Sequence, residues 1–236
     1  MIEYKSNARR IMRENAPKVF FISIVFIALT TIMSEFQFRL PGTVAAYDKY
    51  LEQLSIGNLP DLSAIYRLFR PSGIPLAILL WLLSSILDVG FISYCMKITR
   101  QDKGEYTDLF DGFLYLGRIL AIKLLTTIMT FLWSCLFFFP GIAAHYRYRQ
   151  AYYILLDDPK KTVMQCIRES KRIMHRHKLD LFLLDLSFIL WTALDIMVVM
   201  LLPFPFAVPL ISIWLTPYRG ISNVAFYNKL VLSVTV

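Results

Sequence analysis

The chemically informative residues of this chain are ionisable side chains inside long apolar runs. A charge at the centre of a bilayer costs about 2.5 kcal/mol or more on insertion scales, so such groups meet a partner, a wet cavity or the interface. Carboxylates, guanidiniums and ammonium groups can form ion pairs or bind an ionic ligand. The residues concerned are Asp88, Lys123, His145, Arg147, Arg149, Asp185, Asp195 and Arg219.

Four of these residues are predicted to form one polar cluster. Counted from the expected cytoplasmic helix ends at about 1.5 Å per residue, Asp88, Arg149 and Asp185 lie at one level, roughly 10 Å inside the boundary. Arg219 follows Thr216-Pro217, where a proline leaves a backbone carbonyl in need of a polar neighbour. We expect the four to form a cluster open toward the cytoplasm. It either binds a ligand or holds the helices together as ion pairs.

The remaining candidates have secondary roles. Lys123 lies nearer the surface and is expected to snorkel to the interface. His145 and Arg149 share a helix face at a spacing of four residues, whereas Arg147 points elsewhere. Asp195 lies nearer the outer face, where Arg147 or His145 could approach it.

No pattern of a catalytic or metal site accompanies these charges. The histidines do not form the paired motif of zinc proteases, and neither a nucleophile elbow nor a phosphate-binding loop occurs. His175 and His177 point about 200° apart on a helix and make a poor metal pair. Cys95, Cys135 and Cys166 lie in different segments and are interpreted as small apolar fillers. We expect no metal, no cofactor and no enzymatic activity.

Long apolar runs must position these residues. They cover 19–33, 74–96, 119–139, 179–202 and 204–215 with its continuation, and most approach the roughly 20 residues that span a bilayer as a helix. Hydrophobic residues make up 57% of the chain and the mean hydropathy is +0.54. The sequence therefore predicts an all-α, polytopic transmembrane helical bundle, with residues 1–236 as a single integral membrane domain.

Lysine and arginine predict the orientation, because they resist translocation and collect on the cytoplasmic side. The N-terminal arm and the connectors 97–118 and 157–178 are basic and should all be cytoplasmic. Their cations account for much of the net charge of +8, which favours anionic lipid headgroups over nucleic acid as the partner.

A further crossing is required to keep 157–178 inside. The candidate is 142–156, which follows a turn at Pro140-Gly141 and reaches only about 22 Å, so it is short, tilted or re-entrant. We predict about six membrane segments with both termini cytoplasmic. The alternative is one crossing within 119–156 followed by an interfacial helix.

Short amphipathic surface helices are predicted in the connecting segments. The extracytoplasmic loop 39–72 has two apolar stripes at helical spacing. They are Val44, Tyr47, Leu51 and Leu54, and Leu62, Ile65, Tyr66 and Phe69. A cytoplasmic helix over 160–177 is expected to be capped by Asp158 and to bury a stripe of Val163, Ile167, Ser170 and Met174.

Several motifs resemble one bacterial membrane family. They are Asp108-Leu109-Phe110 with Gly112-Phe113, Pro140-Gly141-Ile142, Tyr146 to Asp158-Pro159, Arg168-Glu169-Ser170-Lys171, Ser187-Phe188-Ile189, Trp214, Pro217-Tyr218 and Phe226-Tyr227. The chain is similar in these to the integral membrane family catalogued as domain of unknown function 975. The resemblance implies a multi-pass protein of the bacterial cytoplasmic membrane, and it supplies no catalytic residues. Arg176 and Asp185 depart from the family pattern.

Three functions are compatible with the sequence. The first is a non-enzymatic protein that binds another membrane component or a small amphiphile such as a lipid or peptide. The second is a small secondary transporter, in which the Asp/Arg cluster binds a substrate or proton beside helix breaks at Pro140-Gly141 and Thr216-Pro217. The third, an intramembrane enzyme, requires an acid and a base facing a substrate cavity.

Overall fold

The computed structural model describes residues 2–57, 61, 63, 66, 71–136, 138–201 and 210–235. Helices and turns make up this part of the chain, and no β-strand occurs in it. The α-helices are α1 (Ile2–Glu14), α2 (Lys18–Arg39), α3 (Thr43–Ser55), α4 (Ile74–Thr99), α5 (Leu116–Leu136), α6 (Phe138–Tyr148), α7 (Ala151–Asp157), α8 (Val163–Ile173), α9 (Lys178–Leu201) and α10 (Leu210–Thr235). A 3-10 helix, Tyr106–Tyr115, precedes α5 and is called the 3-10 segment below.

Four helical stretches among the described residues are long and apolar enough to cross a membrane. They are Lys18–Arg39, Pro71–Thr99, Tyr106–Cys135 and Lys178–Val198. Large apolar side chains such as Leu132 and Leu190 point outward, with 59% and 73% of their surface exposed. This surface is costly in water and suited to lipid. The all-helical, membrane-type architecture is thus confirmed at the level of four spans. The fifth predicted run falls partly outside the described residues, and α10 begins within it at Leu210.

Residues 28–85 form a compact unit of their own. In it, α3 carries the predicted stripe, and Val44, Tyr47, Leu51 and Leu54 are all exposed. Exposed apolar residues along one face are typical of a helix lying on a membrane surface. Of the second predicted stripe, Tyr66 is exposed, and Leu62, Ile65 and Phe69 lie outside the described residues.

The second unit comprises 1–27 and 86–236. Its N-terminal arm, predicted only as basic, is the helix α1, which packs on α10. Ala8, Ile11 and Met12 are buried, and the Tyr4 ring meets the Phe226 ring edge-on at 5.9 Å between centroids. The arginines of α1 lie on its other face, so the arm combines an anchoring stripe with a cationic surface.

The 3-10 segment lies flush against α4. A Cβ added at Gly90 of α4 would meet the backbone oxygen of Leu109, and one added at Gly112 would meet the backbone oxygen of Ile86. Glycine at both positions lets the two backbones approach more closely than any side chain permits. The segment therefore runs alongside the last turns of α4.

The 142–156 segment differs from the prediction. Instead of one short helix it forms α6 and α7, interrupted by a turn at Arg149 and Gln150. Pro140 and Gly141 do not make the preceding turn; they lie in the first turns of α6, where proline is tolerated because early helical N–H groups have no partner. Gly141 instead lets α6 pack closely on α5, since an added Cβ would meet the side chain of Ser134.

The predicted cytoplasmic surface helix is α8, within 160–177. Ile167, Ser170 and Met174 of the inner stripe are buried, together with Cys166 and Ile173, whereas Val163 is partly exposed. Asp158 is not the cap. Thr162 accepts the backbone N–H of Gln165 while the Gln165 side chain accepts the N–H of Thr162, a reciprocal arrangement that begins the helix four residues later.

Helix α10 continues through Pro217, so the break predicted at Thr216-Pro217 is absent from it. Proline costs one helical hydrogen bond, and the helix tolerates this loss because neighbouring helices hold it on either side. The interruption that lies beside the predicted cluster is the turn between α6 and α7.

Candidate functional site

Three of the four predicted cluster residues meet at Asp185 on α9. The Asp185 carboxylate contacts the guanidinium of Arg149, from the turn between α6 and α7, and lies 3.1 Å from Nη2 of Arg219 on α10. The Tyr146 hydroxyl donates to Asp185 Oδ2 at 3.2 Å. The Asp185 side chain is only 12% exposed, so these groups replace most of its hydration. One carboxylate thus faces two cations.

The local fold explains the position of Arg149. The last carbonyls of α6 lack helical partners where the helix ends at Tyr148. One of them, that of Arg147, accepts the hydroxyl of the fully buried Ser170 on α8 at 2.8 Å. The serine of the Arg168-Glu169-Ser170-Lys171 motif therefore fastens the end of α6. Arg149 then projects from the turn toward α9.

Asp88, the fourth predicted member, does not join the cluster. It lies on α4, and its electrostatic partners are Lys123 on α5 and Tyr152 on α7. Among the described residues it forms no hydrogen bond or ion pair with Arg149 or Arg219. The sequence prediction assigns Asp88 to the cluster from its depth alone, because counting residues along a helix gives depth. Counting does not show which neighbouring helix the side chain faces, since that depends on packing.

Lys123 lines a cavity of about 390 Å³ between α5 and α6–α7, here called the α5–α6 cavity. His145, Arg149 and Tyr152 line its other side. Hydroxyl groups continue the lining along α5, from Thr126, Thr127, Thr130 and Ser134. The close contact of Ser134 with Gly141 lies at one end of this wall, and Lys123 lies at the other.

A second cavity, of about 500 Å³, lies on the other side of Arg149 and is called the Asp185 cavity. Asp185, Arg219 and Tyr146 line it together with apolar residues of α9, among them Phe182 and Leu186. His145 and Arg149 line both cavities, and the His145 ring meets the Tyr146 ring edge-on at 5.6 Å. His145 and Arg149 therefore lie between the two cavities.

Arg147 and Asp195 do not approach each other. The Arg147 guanidinium lies 6.0 Å from the ring centroid of Trp133, which is within cation–π range. Asp195, buried on α9, accepts the backbone N–H of Ile211 at 3.0 Å and the hydroxyl of Ser212. It thus caps the N-terminus of α10, where unpaired N–H groups attract an anion. A helix terminus, not an arginine or His145, satisfies this carboxylate.

The sequence reasoning missed an ionic cluster at the 3-10 segment. Lys97 of α4 bridges Asp108 and Asp111, with Nζ at 2.7 Å and 2.8 Å from their carboxylates. Ser93 donates to Asp111 at 2.8 Å, and the Glu105 N–H donates to Asp108 at 2.8 Å. The sequence feature that could have indicated this cluster is the pair Asp108 and Asp111, three residues apart, of which the first begins the Asp108-Leu109-Phe110 motif. This cluster fastens the connector to α4.

A second missed cluster lies at the expected cytoplasmic end. Asp157, the last residue of α7, pairs with Arg100 at 2.6 Å and accepts the Tyr227 hydroxyl at 2.6 Å. Arg100 also donates to Asn228 at 3.3 Å. These contacts join the ends of α4, α7 and α10.

On the surface, a hydrogen bond to Glu169 at 2.8 Å raises the pKa of Lys161, because the carboxylate stabilises the charged ammonium.

Among the described residues, no group of three or more His, Cys, Asp or Glu side chains is arranged to hold a metal ion. The geometry provides ion-paired side chains around two recesses, suited to holding an ionic group. No curated protein and no solved structure matches the chain. Residues 136–233, which include Arg149, Asp185 and Arg219, match the model of the family described as "Protein of unknown function (DUF975)", and the resemblance to that family is thereby confirmed over this part of the chain.

Proposed function

We propose that this chain is a non-enzymatic, multi-pass membrane protein that binds a small amphiphile in the α5–α6 cavity. The observation that carries the proposal is the lining of this cavity. It combines two cations, Lys123 and Arg149, with a row of hydroxyls and the apolar ring of Phe131. An amphiphile with a charged or polar head and an apolar tail can contact both parts of this lining. A wholly polar ligand would leave the apolar part without a favourable contact.

The dimensions of the cavity support an elongated ligand. Lys123 and Ser134 lie eleven residues apart on α5, or about 16 Å along the helix. Lys123 is seven residues from the N-terminal end of α5, about 10 Å along it. The polar head would lie at this end, and the tail would extend along Thr130 and Phe131 toward the middle of the bilayer.

The proposal includes the finer membrane layout. We place six segments in the bacterial cytoplasmic membrane, with α6–α7 and α10 completing the four long spans and with both termini cytoplasmic. In this layout α6–α7 returns the chain so that the basic helix α8 faces the cell interior, as the positive-inside rule requires. The lipid bilayer is then the surroundings of the protein and the source of its ligand.

A substitution that fills the cavity tests the binding proposal. Thr130→Trp places an indole in the α5–α6 cavity, and Leu124→Trp places the same group on the exposed side of the same helix. We expect monopalmitoylglycerol to raise the unfolding temperature of the detergent-solubilised wild type and of Leu124→Trp, but not of Thr130→Trp. An equal rise in all three proteins would show that the amphiphile binds elsewhere.

A small secondary transporter is the alternative, and the turn at Arg149 and Gln150 favours it. A discontinuous helix beside an ion pair is a common arrangement at transport sites, and Arg149 lies between two cavities. Proteoliposomes containing a pH-sensitive dye would detect proton-coupled flux. If the protein is a transporter, the wild type should show proton flux and Asp185→Asn should abolish that flux. If vesicles with the wild-type protein show no flux, the protein binds its ligand without transporting it.

A further inference from the structure

The charge of the ligand's headgroup follows from the groups around the α5–α6 cavity. We infer that the headgroup is the phosphodiester of a lipid with one net negative charge, held between Lys123, Arg149 and Tyr152. This inference rests on the proposed function and adds the ligand class to it.

The described lining of the α5–α6 cavity contains cations and hydroxyl donors but no carboxylate. Lys123 and Arg149 both contribute to it, and Thr126, Thr127 and Tyr152 lie on the same walls. Their carboxylate partners are elsewhere: Asp185 lines only the second cavity, and Asp88 lies outside both linings. An anion entering this cavity meets attraction from two sides, and a cation meets repulsion.

The net charge of the ionic side chains in this region also favours an anionic ligand. The interior charges connected through these contacts are Asp88, Lys123, Arg149, Asp185 and Arg219. The set contains two carboxylates and three cations and so carries one net positive charge, with Arg149 and Asp185 as its part-buried pair. A phosphodiester contributes one negative charge and brings the set to neutrality.

Tyr152 provides an independent observation. Its hydroxyl oxygen is buried in the cavity wall and, among the described residues, has no hydrogen-bond partner. A buried donor without an acceptor is unfavourable unless a ligand supplies one. A phosphate oxygen between Lys123 and Arg149 would accept this hydroxyl and two charge-assisted hydrogen bonds.

Chain-matched probes test the inference on the full-length protein in a nonionic detergent at low ionic strength. The probes are palmitoyl lysophosphatidylglycerol, which is anionic, palmitoyl lysophosphatidylcholine, which has the same phosphodiester neutralised by choline, and uncharged monopalmitoylglycerol. We expect the anionic lipid to bind at least about tenfold more tightly than either of the others, the effect of one good charge-assisted contact.

Three variants place the headgroup. Lys123→Gln should weaken the anionic lipid about tenfold, and Tyr152→Phe about fivefold, and each should weaken monopalmitoylglycerol, whose head lacks the phosphate, by a smaller factor than the anionic lipid. Tyr152→Phe removes no hydrogen bond seen in the structure, so it folds as the wild type does and keeps the test valid if Lys123→Gln does not fold. Lys103→Gln, on an exposed connector, is the matched control and should have no effect.

The outcomes separate the inference from the proposed function. Equal affinities for all three lipids, lost in Thr130→Trp, would overturn the anionic headgroup and leave amphiphile binding in place. The absence of binding by every probe would overturn both. Binding of inorganic phosphate alone at millimolar concentration, with the same dependence on Lys123 and Tyr152, would assign the cavity to free phosphate and overturn the lipid assignment.

Discussion

Asp185 is the residue on which the interior charges converge. Its carboxylate, 12% exposed, receives Arg149, Arg219 and the Tyr146 hydroxyl. Removing one partner of such a group is costly, because the remaining charge stays buried without compensation. Arg219 is 45% exposed and can draw on water, whereas Arg149 is 21% exposed and depends on Asp185. The Arg149–Asp185 pair therefore dominates this site energetically.

A double-mutant cycle measures that pair. We expect Asp185→Asn to lower the free energy of unfolding by about 3 kcal/mol, since it leaves two cations facing each other. Arg149→Ala should also destabilise. The double variant should lose less than the sum of the two, by at least about 1 kcal/mol of coupling.

Unfolding in detergent, followed by circular dichroism, provides these values. Asp102→Asn, on the exposed connector after α4, serves as the control and should stay within about 0.5 kcal/mol of the wild type. Strictly additive losses would mean that the contact between Arg149 and Asp185 contributes nothing to stability.

Close backbone contacts determine how the helices and the 3-10 segment are arranged. Gly90 and Gly112 bring α4 and the 3-10 segment together, and Gly141 brings α6 onto α5. The ion pairs of Lys97 with Asp108 and Asp111 then hold the first of these contacts. Because α5 follows the 3-10 segment directly, this contact also fixes where α5 begins. It thereby positions Lys123 and the cavity wall.

Glycine-to-alanine substitutions test this arrangement. Gly90→Ala and Gly112→Ala each place a methyl group against a backbone oxygen that has no rotamer to change, so each should destabilise by about 1–3 kcal/mol. The control is Gly117→Ala in α5, where the added Cβ meets nothing within 4 Å. It should be neutral or stabilise by up to about 1 kcal/mol, because alanine restricts the unfolded chain.

Unfolding temperatures of the three variants decide between these expectations. If Gly90→Ala and Gly117→Ala had equal effects, the close contact between α4 and the 3-10 segment would not exist in the folded protein.

Cationic surfaces distinguish one side of the whole molecule in the proposed layout. The exposed arginines of α1 and the exposed Arg168, Lys171 and Arg172 of α8 belong to segments that the charge rule keeps in the cytoplasm. The helices with large apolar exposure, such as α5 and α9, are separate from these cationic segments in the chain. A membrane protein with a cationic inner side attracts anionic lipid to it, which would raise the local concentration of the proposed ligand.

Cysteine labelling tests the layout. The background is Cys135→Ser, because Cys135 is the exposed native thiol whereas Cys95 and Cys166 are buried. In intact bacterial cells, an impermeant maleimide should label Lys49→Cys and should reach Arg10→Cys and Arg168→Cys only after the membrane is opened. Labelling of Arg168→Cys from the exterior would contradict the six-segment layout, because α6–α7 would then not return the chain.

The sequence by itself determined the helical membrane architecture, since apolar runs of about 20 residues have few other stable solutions in or out of lipid. It also predicted that Arg149 and Asp185 lie at one level, because rise per residue converts position in a helix into depth, and the two side chains do meet. The family match over 136–233 covers the motifs from Pro140-Gly141-Ile142 to Phe226-Tyr227, whereas Asp108-Leu109-Phe110 lies outside it.

Only the tertiary structure decided which charges meet. Asp88, predicted at the level of Asp185, interacts with Lys123, and Asp195 meets the N-terminus of α10 instead of an arginine. Direction around a helix depends on which neighbour packs there, and that depends on close contacts such as Gly90 with Leu109 and Gly141 with Ser134. These contacts involve residues distant in the chain, so a periodic pattern within one helix contains no information about them.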